Sequence, residues 1–271
     1  MSPSILTKAI HEAQKKGRPA VIPFLTGGYP DRERFWLALE ELAQSGADII
    51  EIGVAFSDPV ADGPVVAAAG FKTLEDGVDL DWILNGLIQR KIKTPLVLMS
   101  YANPLIQFAW PQTDPQASLA QRMEESLIIL AQKAKEAGIN GLIVPDVPLE
   151  EAGPFQKALA KASLDLIPLV GPNTKIERME KYAQTAGGYV YVVSVLGTTG
   201  VREGLPPEVN LTFERARKAF DLPLALGFGL KDPAQLTALG LAPDAVIIGS
   251  ALLKQLAAGG SCSQFLSPWL N

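Results

Sequence analysis

Short apolar runs alternate with amphipathic stretches along most of the chain. Eight runs, nearly continuous in hydrophobicity, start near Ala20, Ile49, Thr94, Gly141, Leu164, Tyr189, Pro223 and Ala245. Such short, unbroken runs are typical of strands that are buried on both faces of a parallel sheet. Between them, apolar residues recur at helical spacing, as in Arg32 to Gln44 and in residues 150–162. This spacing predicts helices that pack against the sheet.

Eight strand and helix units in one chain of 271 residues match the α/β fold of a (β/α)8 barrel, the TIM barrel. A doubly wound open sheet is the alternative. Residues 1–18 have the pattern of an amphipathic N-terminal helix. No low-complexity linker or block of like charge divides the chain, so residues 1–271 are predicted to form a single domain.

Two segments depart from this regular pattern. Between residues 103 and 138 the chain is longer than a barrel connection requires, with a proline-containing loop and then a long helix. We interpret residues 107–122 as an insertion. After Leu256, paired glycines and a proline disfavour a helix, so residues 257–271 are predicted to be an irregular tail.

Charge and composition exclude several classes of function. With 24 Lys and Arg against 29 Asp and Glu, the formal net charge is −5, which disfavours a nucleic-acid partner. No apolar run approaches the ~18 residues that cross a bilayer, and the N-terminal stretch does not have the pattern of a leader. We therefore expect a cytoplasmic protein without a membrane partner. The lone Cys262 forbids an internal disulfide, and the lone His11 forbids a metal site that needs two imidazoles.

Acidic residues near the predicted strand ends are candidates for catalysis, because a barrel has its active site there. Glu51 lies among isoleucines at the end of the second apolar run, where desolvation raises the pKa of a carboxyl group and favours the protonated acid. A hidden basic partner would instead make Glu51 a structural residue. The loop that follows holds Asp58 and Asp62 beside prolines and a glycine. Each aspartate is equally a turn former, and the residues alone do not separate the two.

Glycines follow the predicted strands of the last units. They are Gly197 and Gly200, Gly227 and Gly229, and Gly249 with Ser250 after it. Barrel enzymes often bind a phosphate group at this position through backbone N–H groups and a helix N-terminus. A lone pair of glycines would indicate no more than a turn. Three clusters at consecutive strand ends predict a phosphate site.

The positions of lysine and histidine in the sequence exclude further reaction mechanisms. A Schiff-base mechanism needs a lysine at the barrel mouth, and only Lys231 comes near a strand end. No histidine is available there to activate a serine or cysteine, because His11 lies in the predicted N-terminal helix. Carboxylate acid–base chemistry on a phosphorylated substrate remains. Apolar residues near the mouth are candidates for contact with a planar aromatic group: Phe24, Met99, Tyr101, Ile143 and Phe228.

Several motifs, in a consistent order, resemble the tryptophan synthase alpha chain family. They are PFLTGGYPD (23–31), EIGVAFSDPVADGP (51–64), SYANP (100–104), PDVPLEE (145–151), YVVSVLGTTG (191–200), GFGL and GSA. The similarity extends from about residue 4 to about residue 256, and the motif at 51–64 is the most specific. The resemblance implies a TIM barrel that cleaves indole-3-glycerol phosphate to indole and glyceraldehyde 3-phosphate by a retro-aldol reaction, without a cofactor.

The resemblance also implies a role for each candidate residue. Glu51 matches the carboxylate that delivers a proton to indole C3 and assists deprotonation of the glycerol hydroxyl. Asp62 matches the carboxylate that accepts the indole N–H and stabilises the developing positive charge. Phosphate contacts carry over to Gly200, Gly229, Gly249 and Ser250. Substrate-pocket positions carry over to Phe24, Tyr101, Tyr191 and Thr199, beside the candidates Ile143 and Phe228.

The family further implies a partner, a pyridoxal-phosphate β chain that receives indole and joins it to serine. Residues expected to face this partner follow the second and third strands: Ala55, Asp58, Pro59, Asn103 and Pro104. The chain departs from the family where Ala55 replaces a usual proline. Further departures are Ala67 in place of a common glutamine, Leu196 and Thr198 before Thr199, and the insertion.

None of these departures touches the two carboxylates, but they leave other functions open. The chain could be a stand-alone lyase that releases indole. It could instead be a weakly catalytic barrel that regulates its β partner. A phosphosugar isomerase or epimerase that uses Glu51 as its base is a third alternative.

Overall fold

Parallel strands curl into a barrel in the computed structural model, which describes residues 3–193, 208–227, 229–239 and 242–270. The strands among these residues are β1 Ala20–Thr26, β2 Ile50–Gly53, β3 Leu96–Met99, β4 Ile139–Ile143, β5 Asp165–Leu166, β6 Leu169–Val170, β7 Val190–Val193, β8 Leu224–Gly227 and β9 Ala245–Ile248. Their order in the sheet is β5-β4-β3-β2-β1-β9-β8-β7-β6. The predicted α/β barrel is thereby confirmed.

The fifth predicted strand closes the barrel as two short pieces. Pro168, which has no N–H, lies between β5 and β6 and interrupts the strand. On one side of the break the Ile167 N–H donates to the Leu142 carbonyl (2.9 Å), and on the other the Tyr191 N–H donates to the Pro168 carbonyl (2.9 Å). The two ends of the sheet order are therefore consecutive segments of one chain.

Helices connect the strands. They are α1 Ile5–Lys15, α2 Arg32–Gln44, α3 Pro64–Glu75, α4 Leu80–Arg90, α5 Ala102–Gln107, α6 Leu119–Glu136, α7 Gly153–Lys161, α8 Ile176–Ala183, α9 Glu208–Ala219, α10 Ala234–Leu239, α11 Ser250–Ala257 and α12 Cys262–Leu270. The single helix predicted for residues 150–162 is divided into a 3-10 turn, Leu149–Glu151, and α7, because Pro154 favours the first turn of a new helix. Within the described part of the chain, no helix has the length and apolar character needed to cross a membrane.

Alternate strand residues divide the core into two layers. In β1, Val21 and Leu25 belong to the layer between strands and helices, whereas Ile22 lies in the barrel interior. Ile49, just before β2, also lies in the interior. Since side chains alternate along a strand, residue 51 faces the interior too, closer to the carboxyl end. This register directs the Glu51 side chain into the upper part of the barrel.

Helix α1 closes the amino-terminal end of the barrel. Leu6 and Ile10 are fully buried in the interior cluster. The Ser4 hydroxyl accepts the Thr7 N–H and caps the helix, while the Thr7 hydroxyl donates to the Gly188 carbonyl (2.6 Å). The predicted N-terminal helix is confirmed, and it leaves the opposite end of the barrel as the open one.

The prediction of an irregular tail over residues 257–271 is wrong for residues 262–270, which form α12. Leu266 and Trp269 are buried against the rest of the core. Glu41 on α2 accepts hydrogen bonds from the Ser261 hydroxyl and from the Ser263 N–H. These contacts with a distant part of the chain outweigh the low helix propensity of the local sequence.

Residues 107–122, interpreted as an insertion, hold a 3-10 turn at Trp110–Gln112 and the first turn of α6. The Arg122 guanidinium lies over the Trp110 ring, 4.3 Å from its centroid, and donates to the Thr113 hydroxyl (2.9 Å). Ser118 caps α6 in a capping box. These contacts hold the segment against α6. That it is an insertion stays a prediction.

Candidate active site

A cavity of about 400 Å³ opens at the carboxyl ends of the barrel strands. Glu51 and Asp62 line it, together with Gly229, Gly249 and Ser250. These residues come from strands far apart in sequence, yet the barrel brings them to one mouth. The cavity has the size of a small-molecule site, and it combines two acidic side chains with the glycines expected to receive a phosphate.

Glu51 is buried, with 1% of its surface exposed. It pairs in the sheet with Phe24 of β1, and its Oε2 has no hydrogen-bond partner among the described residues. Burial, assisted by the negative charge of Asp62, raises the pKa of Glu51 to about 8. The carboxyl group is therefore protonated at neutral pH, as the surrounding isoleucines predicted.

Asp62 lies in the loop between β2 and α3, where it is half-buried. Burial raises the pKa of Asp62 to about 6, and a hydrogen bond from the Tyr101 hydroxyl opposes this rise. The same hydroxyl accepts the Ala61 N–H (2.9 Å), which holds the loop against Tyr101. Asp62 is thus ionised at neutral pH beside a protonated Glu51.

The structure separates the two aspartates that the residues alone left equivalent. Asp62 lines the cavity, whereas the Asp58 side chain is exposed to solvent. The Asp58 carbonyl accepts the Val60 N–H (2.9 Å), and the Pro59 carbonyl accepts the Asp62 N–H (3.1 Å). These turns point the two side chains in different directions, so only Asp62 is available for chemistry in the cavity.

Two of the four predicted phosphate residues lie at the start of a helix. Gly249 caps α11, and Ser250 is its first residue, so N–H groups at a positive helix end face the cavity. A Cβ on Gly249 would come 3.3 Å from the Phe24 ring, so a larger residue there would require the ring to shift. Gly229 lines the same cavity. Gly200, the fourth predicted contact, lies outside the described residues.

The other residues predicted for the substrate pocket lie in different surroundings in the structure. Phe24 and Tyr191 line the main cavity. Tyr101 lines a smaller adjoining cavity of about 20 Å³ that it shares with Phe24 and Asp62. Ile143 is fully buried in the interior cluster, beside Met99 in the sheet, and it is not among the residues that line the cavity. Its place in the substrate pocket stays a prediction. Thr199 and Phe228 lie outside the described residues.

Five residues were expected to face a partner: Ala55, Asp58, Pro59, Asn103 and Pro104. Asp58 and Asn103 are exposed, and the other three are half-buried. The two segments that carry them are adjacent, because the Phe56 and Tyr101 rings lie 5.2 Å apart. Since the Tyr101 hydroxyl also contacts Asp62, the exposed surface is connected to the cavity through one side chain.

Sequence reasoning missed Tyr189, which is fully buried in the barrel interior. Its hydroxyl has no hydrogen-bond partner within the described ranges. Burial raises the pKa of Tyr189, and the charge that Glu51 carries when it is ionised raises it further. A signal was present, since Tyr189 and Tyr191 alternate in the sixth apolar run and a period of two directs both inward.

Asn173 and Thr174 were also missed. Both line the main cavity from the loop between β6 and α8, and the Thr174 hydroxyl accepts the Gly171 N–H (3.0 Å). Nothing in their local sequence distinguishes this loop from an ordinary turn. Only the closure of the barrel places it at the mouth.

Comparison with known proteins gives a consistent result. A family model described as "Tryptophan synthase alpha chain" matches residues 10–264. A protein of that name from Nitratidesulfovibrio vulgaris is 53% identical over 271 residues, covering 99% of each chain. One from Synechocystis is 39% identical over 249 residues, covering 91% of this chain and 88% of its own. A solved Mycobacterium tuberculosis tryptophan synthase matches with a TM-score of 0.84 at 30% identity, covering 99% of this chain and 97% of that one.

Proposed function

Since this chain belongs to the tryptophan synthase alpha chain family and is thus an indole-3-glycerol phosphate lyase of tryptophan biosynthesis, we propose that Glu51 and Asp62 perform the cleavage. The reaction breaks the bond between indole C3 and the first glycerol carbon. C3 gains a proton, the hydroxyl on that glycerol carbon loses one, and the electron pair of the broken bond returns to the indole ring. The products are indole and glyceraldehyde 3-phosphate.

Glu51 acts as the acid and base. With a pKa of about 8, it is protonated at neutral pH and can deliver its proton to C3. The resulting carboxylate then takes the proton of the glycerol hydroxyl while the carbon–carbon bond breaks. One residue therefore performs both transfers, and its protonated form is restored at the end of the cycle.

Asp62 acts as the electrostatic partner. Protonation at C3 leaves positive charge on the indole nitrogen, and an ionised carboxylate that accepts the N–H stabilises this charge. The hydrogen bond from Tyr101 favours the ionised form of Asp62. The partly dry surroundings strengthen the attraction relative to water.

The phosphate group of the substrate is received at the start of α11. Gly229, Gly249 and Ser250 line this part of the cavity, and an unpaired helix N-terminus attracts an anion without needing a basic side chain. Held there, the substrate extends its indole ring toward the two carboxylates. Gly200 is the fourth proposed contact.

The observation that carries the proposal is the burial of Glu51 at the mouth beside Asp62, where no basic group of the described residues acts on it. Glu51→Gln keeps the shape of the side chain but cannot transfer a proton. We expect a loss in kcat of at least ~100-fold, within the range of general acid–base catalysis, while indole-3-glycerol phosphate still binds. The measurement is the steady-state rate of indole release, together with equilibrium binding of the substrate.

Glu75→Gln is the matched control, because Glu75 is exposed on α3 and lies outside the cavity. It should release indole at the wild-type rate. Undiminished turnover in Glu51→Gln would remove Glu51 from the mechanism. Absence of indole release from the wild-type chain, alone and with a β chain, would favour a purely regulatory barrel.

A β chain is the proposed partner, as membership of the family implies. We propose that it contacts Ala55, Asp58 and Pro59 together with Asn103 and Pro104. The exposure of Asp58 and Asn103 supports this assignment. Contact at these segments would reach Asp62 through Tyr101, which gives the partner a direct means to accelerate cleavage.

A further inference from the structure

A second cavity, of about 290 Å³, lies between α7 and α8. Its inner side is the chain around Pro168, where the barrel wall passes from β5 to β6. The rings of Phe155 and Tyr182 line it from the two helices. Ala152 and Ala186 also line it, and because each contributes only a methyl group, space remains where larger residues would fill the gap.

The charged groups at this cavity are already paired. Arg178 on α8 donates both guanidinium nitrogens to Glu150 (2.9 and 2.8 Å), which joins the two helical units beside the opening. The Asp146 carboxylate accepts the Ala102 N–H (2.9 Å). Among the described residues that line the cavity, Arg178 is the one cation and is already paired, so the site favours a neutral ligand over a phosphate or a carboxylate.

The size and position of the cavity point to one kind of ligand. An apolar cavity of about 150 Å³ is large enough to bind benzene, so about 290 Å³ accommodates a fused pair of rings. Pro145 and Leu169 line this cavity and the active-site cavity alike. These two residues therefore form part of a wall that the two cavities share, and the second cavity is adjacent to the place where a planar apolar product is released.

We propose that the cavity between α7 and α8 is a second binding site for indole, the neutral aromatic product. This inference rests on the proposed function, which supplies the product. The aromatic rings of Phe155 and Tyr182 contact the faces of the bicycle. Ala102 bonds only the Oδ1 of Asp146, so Oδ2 can accept the indole N–H. Bound there, indole stays beside the barrel mouth after it leaves the reacting carboxylates.

The test is a titration of the full chain with indole, followed by the backbone amide signals in ¹⁵N NMR. We expect saturable shifts at Phe155, Gln156 and Tyr182 in addition to shifts around Asp62. No substrate is present, so the outcome does not depend on catalysis. Failure of the proposed function would be seen separately, as absence of indole release from indole-3-glycerol phosphate.

Ala186→Leu should fill the cavity and weaken indole binding at Phe155 and Tyr182 by at least ~10-fold, because the added carbons occupy the ligand volume. Shifts around Asp62 and the rate of cleavage should remain. Thr185→Val is the matched control: it removes the hydroxyl that accepts from Gln156 (2.8 Å) but keeps the volume, and should retain binding.

Two results would overturn the proposal. The first is an unchanged Phe155 and Tyr182 environment in the wild-type chain while the amides around Asp62 respond to indole. The second is tighter binding of the anion indole-3-acetate than of indole at this cavity, which would assign it to charged ligands. The titration of the wild-type chain tests indole binding in this cavity even if Ala186→Leu fails to fold.

Discussion

Glu51 and Asp62 carry the same functional group in surroundings that differ in polarity. Glu51 is enclosed by apolar strands and has its pKa raised to about 8, whereas Asp62 receives a hydrogen bond from Tyr101 and has its pKa raised only to about 6. Two carboxyl groups are thereby held in opposite protonation states at neutral pH. Because the charge of Asp62 contributes to the rise at Glu51, the pair titrates as a coupled unit.

This pairing predicts a bell-shaped pH dependence of kcat/KM for indole release. As pH falls through about 6, Asp62 becomes protonated and loses the charge that stabilises the cationic ring. As pH rises through about 8, Glu51 loses the proton that it must deliver. The rate should therefore be greatest near neutral pH. A profile that is flat from pH 5 to pH 9 would contradict the assignment of both roles.

Tyr101→Phe is expected to shift only the acidic limb of that profile. The Tyr101 hydroxyl lowers the pKa of Asp62 by hydrogen bonding to its charged form, so removing it raises that pKa and moves the limb to higher pH. Tyr182→Phe, a change on α8 away from Asp62, serves as the control. Superimposable acidic limbs for Tyr101→Phe and wild type would show that the hydroxyl does not tune Asp62.

Among the helices, α12 shows how a distant contact determines an element. Its sequence contains Pro268 and follows two glycines, which argues against a helix. The buried side chains of Leu266 and Trp269 and the hydrogen bonds to Glu41 supply the free energy that local propensity lacks. The helix therefore depends on α2 for its stability.

Glu41→Ala should consequently destabilise the protein by about 1–2 kcal/mol, since two hydrogen bonds to a charged acceptor are lost at a partly solvated position. The free energy of unfolding from urea titration is the measurement. Glu180→Ala, at an exposed position on α8, should change it by less than about 0.5 kcal/mol. Equal stability of the two variants would mean that burial alone anchors α12.

The molecule as a whole has one closed end and one open end. Helix α1 fills the amino-terminal end of the barrel with Leu6 and Ile10, and the cavity that holds Glu51 and Asp62 opens at the opposite mouth. The exposed Asp58 and Asn103 lie on loops at that mouth. The proposed substrate site and the proposed partner surface therefore lie on the same side of the molecule.

Asp58→Ala tests the proposed partner surface. Its side chain is exposed and outside the cavity, so indole release by the isolated chain should stay at the wild-type rate. Affinity for a β chain should fall by ~10-fold or more, as when a well-placed interface residue is truncated. Titration of the β chain while indole release is followed measures both quantities. Asp221→Ala, at an exposed position after α9, is the control and should leave the affinity for the β chain unchanged. Equal affinities of the Asp58→Ala and Asp221→Ala variants would show that Asp58 does not belong to the interface.

Much of this architecture is encoded locally. Unbroken apolar runs predicted the strands because a strand buried on both faces needs no polar alternation, and the isoleucines around Glu51 predicted its raised pKa because they remove water. Glycines at the last strand ends indicated backbone contact with an anion. Each of these inferences concerns a residue and its immediate neighbours in the chain.

Other features depend on groups that are distant in sequence and meet only after the barrel closes. The choice between Asp58 and Asp62 depends on Tyr101, which lies on the next strand unit and holds the Asp62 loop. The raised pKa of Tyr189 depends in part on the charge of Glu51. Helix α12 depends on the hydrogen bond that Ser261 donates to Glu41. Local propensity and periodicity carry no information about such partners, because the free energy of these contacts exists only between elements that the fold brings together.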